Sequence, residues 1–159
     1  MLRYAKFLAG GLIALVLAGA ANVQDAHPHV ADADREYAAV FSRGENPCAN
    51  ESTALSYEQC IGKELEFTEK HLNAFLAAVR RIVSDEGAAQ AAGKVKELDL
   101  LNGADRAWGE YKKNLCELQS AGFDGGSGAS SIATECQYRA DRQYVQQVAD
   151  AISLKILAK

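Results

Sequence analysis

Residues 56–83 read SYEQCIGKELEFTEKHLNAFLAAVRRIV, and their spacing decides the fold. Tyr57, Ile61, Leu65, Leu72, Phe75, Leu76, Val79, Ile82 and Val83 recur at steps of three and four, on one face of a long helix. Ser56 stands in the capping position, Gln59 follows three residues on to close a capping box, and Leu55 and Cys60 occupy the staple positions. Arg80 and Arg81 fall near the end, where the helix dipole favours cations, and the pattern stops at Ser84–Gly87.

Beyond this helix the period continues. Ala88–Ala92 is alanine-rich and Gly93 offers a break; from Lys94 onward Val95, Leu98, Leu101, Trp108, Tyr111, Leu115 and Leu118 keep helical spacing. Gly103 and Gly109 either weaken that helix or let a neighbour approach closely. Phe123-Asp124-Gly125-Gly126-Ser127-Gly128 reads as a loop, and Ser130 or Ser131 opens a third helix carrying Ile132, Cys136, Val145, Val148, Ile152 and Ile156. On the other side, residues 21–46 are polar and contain Pro28, which reads as a flexible leader with at most a short helical turn at Asp34–Phe41. The expected architecture is all-α: an antiparallel three-helix bundle over residues 47–159.

The chain has 159 residues, 48% hydrophobic and 24% charged, which suits one small globular domain. Its start is different in kind. Arg3 and Lys6 precede the apolar run Phe7–Leu17, and Ala18-Gly19-Ala20 follows, the order of regions in a secretory signal peptide over residues 1–20. That run is short for a membrane span, which needs ~20 apolar residues. No cysteine follows for a lipid, so no stable membrane anchor is expected after removal. Cleavage takes two of the 17 basic residues and none of the 21 acidic ones, leaving 139 residues with a net charge of −6. Such a chain is a poor partner for nucleic acid and for anionic membranes.

Cys48, Cys60, Cys116 and Cys136 all lie in the mature part, and an even count in an exported chain favours two disulfides. Their spacings lack the close pairs of a zinc site. In an up-down-up bundle Cys60, Cys116 and Cys136 share one end. Closeness in sequence favours Cys48–Cys60 with Cys116–Cys136; Cys60–Cys116 with Cys48–Cys136 is the alternative.

Several of these residues carry a resemblance. Cys48 and Cys60 followed by Leu72-Asn73 and Phe75, then Ala104-Asp105-Arg106-Ala107-Trp108 with Tyr111-Lys112 and Cys116, then Gly125-Gly126-Ser127 before Cys136, resemble the LprI-type lysozyme inhibitor family from about Cys48 to Val148. Asp105 replaces a glutamine usual in that family, and Lys112-Lys113 replaces arginine-aspartate. The resemblance implies an exported, periplasmic or secreted, disulfide-bonded helical domain whose partner is a lysozyme. Leu72, Asn73, Arg106, Trp108 and Tyr111 are then structural motif residues.

On its own residues, Trp108 belongs to the apolar stripe of its helix, and Arg106 is placed to brace that helix against an acidic neighbour. The loop Phe123, Asp124, Gly125, Gly126 and Ser127 is the candidate lysozyme contact, held by the disulfides at the end of the bundle. Catalysis has little support. Gly125-x-Ser127-x-Ala129 lacks the strand that a nucleophile elbow needs. His71 with Glu64 or Glu69 reads as a solvated helix face. His27 and His29 among Asp25, Asp32 and Asp34 offer a metal no fixed geometry. No enzyme activity, cofactor or metal is expected; an envelope scaffold binding some other protein is the alternative to an inhibitor.

Overall fold

The computed structural model describes residues 28–85, 91–123, 126 and 128–157. The described residues form four helices and no strand: α1 (Pro28–Phe41), α2 (Ala54–Asp85), α3 (Ala91–Ala121) and α4 (Ala129–Leu157). α4 packs against both α2 and α3, α1 lies along α2, and α2 touches α3 much less. Residues 1–20, with the expected signal peptide, lie outside the described residues. No described helix is long and apolar enough to cross a membrane.

The all-α expectation holds, but the three-helix count is corrected to four. The added element is α1, where only a short turn at Asp34–Phe41 was expected. Pro28 opens it, a position where a missing N–H costs nothing. Val30, Ala33, Tyr37, Val40 and Phe41 then line one side. Ala33 and Val40 are buried in one cluster with Leu72, Phe75, Val79, Tyr144 and Val145, and Val30, Tyr37 and Phe41 pack against it. Complete burial of a valine such as Val40, Val79 or Val145 stabilises by about 1.5–3 kcal/mol. Gly44 then turns the chain at φ +74°, a left-handed conformation that favours glycine.

Local details shift as well. The cap of α2 is Thr53, one turn before the expected start: Ser56 N–H donates to Thr53 Oγ1 at 3.1 Å, and Thr53 N–H donates to Ser56 Oγ at 3.3 Å. Thr53-x-x-Ser56 thus forms the reciprocal pair assigned to Ser56 and Gln59. Leu55 is 65% exposed and staples nothing. α3 runs unbroken through Gly93. A Cβ added at Gly103 or Gly109 would meet nothing within 4 Å, so neither glycine serves a close approach.

Candidate functional site

Two disulfides define one end of the molecule. Cys48 pairs with Cys60, tying the segment before α2 to its second turn, and Cys116 pairs with Cys136, tying the end of α3 to the start of α4. This is the pairing that closeness in sequence favours. The start of α2 is also bound directly to the start of α4. Tyr57 OH donates to Glu135 Oε2 at 2.7 Å, and Ser130 Oγ donates to Glu58 Oε1 at 2.6 Å. Burial and the Glu135 carboxylate push the Tyr57 hydroxyl up to about 12, so it stays a donor across the physiological range.

The α3–α4 connection sits on this braced end. Phe123 N–H donates to Ser120 O at 3.0 Å, Gly126 N–H to Phe123 O at 2.8 Å, and Ala129 N–H to Gly126 O at 2.9 Å. A Cβ at residue 126 would stand 3.2 Å from the Phe123 carbonyl oxygen, so the turn leaves little room there for anything but glycine. Asp124, Gly125 and Ser127 of the candidate contact lie outside the described residues. Phe123 is 52% exposed, Leu118 one turn from the end of α3 is 73% exposed, and Leu55 in the first turn of α2 is exposed too. Among the described residues, three of the five exposed large apolar side chains therefore belong to this end. The other two, Leu100 and Tyr111, lie along α3.

The motif residues divide between core and surface. Leu72 is buried and Asn73 exposed. Trp108 packs against the core with its ring stacked on Tyr144, centroids 5.0 Å apart and planes 8° from parallel. Tyr111 is half exposed beside Trp108. Arg106 is exposed and forms no ion pair among the described residues. The bracing expected of it comes from Arg80 on α2, whose Nε donates to Asn102 Oδ1 at 3.2 Å and whose Nη2 donates to Asp105 Oδ2 at 2.5 Å.

Two buried polar clusters escaped the sequence reading. Asp141 is fully buried on α4, and Lys112 Nζ reaches its two carboxylate oxygens at 2.8 and 3.1 Å, with Glu69 Oε1 at 3.8 Å. This links α2, α3 and α4. Burial pushes the Asp141 carboxyl above its ordinary range, and Lys112 opposes that shift. The second cluster ties α4 to α1. Arg142 Nη1 donates to Val40 O at 2.9 Å and to Tyr138 OH at 3.0 Å, while Tyr138 OH donates to Gly44 O at 2.8 Å. Val40 O belongs to the last turn of α1, where a cation suits the helix dipole. The i, i+4 spacing of Tyr138 and Arg142 is visible in sequence, but their backbone acceptors, Val40 O in α1 and Gly44 O in the turn after it, are far away in the chain.

The histidines are also placed differently from expectation. His71 Nδ1 lies 2.7 Å from Glu36 Oε2 of α1 in a part-buried contact, where a solvated helix face was expected. That hydrogen bond holds the Glu36 carboxyl below its ordinary range. His29 Nε2 is 3.2 Å from Asp85 Oδ2 and its Nδ1 is 3.9 Å from Asp32 Oδ2. Asp34 is exposed, and Asp25 and His27 lie outside the described residues. No group of side chains suited to a metal ion occurs among the described residues.

A helical domain whose four cysteines are all paired suits an oxidising compartment. The family described as "Lysozyme inhibitor LprI" matches residues 45–148, and the chain belongs to that family. Searches of curated proteins and of solved structures returned no match.

Proposed function

We propose that this protein, exported with residues 1–20 removed, binds a lysozyme and blocks its cleft without doing chemistry itself. Membership of the lysozyme inhibitor family carries this reading. A glycosidase works through two carboxylates flanking the scissile bond, so filling the cleft is enough to stop it. The proposed contact is the braced end, with Phe123, Asp124, Gly125, Gly126 and Ser127 at the tip and Leu118 and Leu55 beside it. Exposed apolar side chains on a cross-linked frame support that choice, because little ordering entropy remains to be lost on docking. The net charge of −6 after residues 1–20 are removed would draw the protein toward a cationic lysozyme, mainly through the association rate.

The test is a lytic assay on killed bacterial cells with chicken-type, goose-type and invertebrate-type lysozymes, with and without the oxidised mature protein. Inhibition of at least one type is expected. Ser127→Trp should weaken it while leaving the helical circular dichroism unchanged. Inhibition that survives both Ser127→Trp and Leu118→Asp would place the contact elsewhere. Full activity of every lysozyme type at excess protein would leave the scaffold reading instead.

A further inference from the structure

The groove between the end of α1 and the middle of α4 encloses about 590 Å³, and Arg142 lines it together with Phe41, Asn46, Arg139, Gln143 and Gln147. Arg142 is nine-tenths buried, yet among the described residues no carboxylate forms an ion pair with it. Among the described residues its hydrogen bonds both leave from Nη1, to neutral oxygens, and its guanidinium is held 4.8 Å above the Phe41 ring and 5.3 Å from that of Tyr138. A buried charge normally has an opposite charge beside it. Here Arg142 lines an open groove while its Nε and Nη2 make no hydrogen bond among the described residues, and a guanidinium fork matches a carboxylate geometrically.

The other groups define what carries the carboxylate. Gln146 is committed, accepting from Tyr37 OH and donating to Asp150. Gln143 and Gln147 are exposed and have no partner among the described residues. They stand one turn apart on α4, about 6 Å along the axis at ~1.5 Å per residue. Alternate residues of an extended chain repeat at about 6.6 Å, so two such amides can pair with successive backbone amides on one edge of a strand-like peptide. A sugar ring finds no free aromatic platform, because Arg142 lies over Phe41 and Tyr37 packs against it at 4.7 Å. Arg139 adds a second cation at the rim, already paired with Glu135, and Glu45 adds one carboxylate to the lining.

We infer that this groove binds a short extended peptide segment bearing one carboxylate, with Arg142 receiving the carboxylate and Gln143 and Gln147 receiving the peptide backbone. It lies on the α1–α4 face and adjoins the braced end through Arg139, which pairs with Glu135; the inference does not rest on the inhibitor reading, and its test uses no lysozyme. The experiment is titration of the isotopically labelled oxidised protein with a capped alanyl-glutamyl-alanine peptide, followed by NMR. Arms with the glutamine peptide and with N-acetylmuramic acid run beside it. The glutamate peptide should shift the side-chain amides of Gln143 and Gln147, and the glutamine peptide should bind at least tenfold more weakly. Glu45→Gln should tighten binding severalfold by removing a like charge. Gln143→Leu with Gln147→Leu, both at exposed positions where folding is not at stake, should weaken it at least tenfold. No shift at these amides, equal binding of the two peptides, or binding of the sugar acid alone would each overturn the assignment.

Discussion

Lys112 and Asp141 form the ion pair on which the largest single-residue effect is expected. Asp141 has no exposure, so removing Lys112 strands a charge in the interior. Breaking a buried pair from one side costs about 3–5 kcal/mol, and the partial exposure of Lys112 argues for the lower end. The pH dependence has a definite sign. The fold already favours the protonated form of Asp141, so this group subtracts from stability as pH rises above the ordinary carboxylate range through its raised value. Lys112→Met raises that value further. The variant should be destabilised by about 3 kcal/mol in urea at pH 7 and by much less at about pH 2.5, below the ordinary carboxylate range, where Asp141 is largely protonated in both states. Adding Asp141→Asn should recover part of the loss at pH 7. Glu36 has the opposite sign: held low by His71, it contributes stability that is lost as pH falls through its depressed value.

At the scale of elements, the legibility of the sequence follows the length over which large apolar residues keep one period. α2 was plain because its stripe is made of Leu, Ile, Val and Phe, eight of whose positions prove buried once Thr68 and Ala78 are counted with them. α1 carries Val30, Ala33, Tyr37, Val40 and Phe41 on one face, but over only 14 residues set between polar ones, so the period is too short to stand out from a leader. Its boundary with the turn is set by Gly44 and by Arg142, a partner about a hundred residues away that no local pattern reveals. α3 and α4 are legible in the same way as α2, through large apolar residues that keep helical spacing over about thirty residues each. The glycines mark the α3–α4 connection in the sequence, whereas Leu55 and Leu118 read as staple and stripe residues but are exposed, since periodicity does not report which side faces water. Two outcomes belong here. A fragment beginning at Glu45 loses α1, exposes Phe75 and Val79, and leaves Arg142 without its Val40 acceptor; it should melt well below the mature protein and bind a hydrophobic dye. Gly103→Ala and Gly109→Ala, in open space on α3, should each stabilise by up to ~1 kcal/mol, read as a higher urea midpoint with an unchanged slope.

For the molecule as a whole, the helices are bound most firmly at one end. The loop of 20 residues closed by Cys116–Cys136 contributes ~3 kcal/mol in the chain-entropy treatment, and Cys48–Cys60 fixes the segment that leads from α1 into α2. The proposed contact adjoins both disulfides, and an acidic net charge would act on the rate at which a cationic partner arrives. The most direct measurement is the rate of bacterial cell lysis by chicken-type, goose-type and invertebrate-type lysozymes, titrated with the oxidised mature protein at low salt and again at 1 M salt, where the Debye length falls to ~3 Å. Saturable inhibition of at least one type, weaker at high salt and weaker again with Ser127→Trp, is the predicted result. Unchanged lysis by all three at excess protein would contradict it.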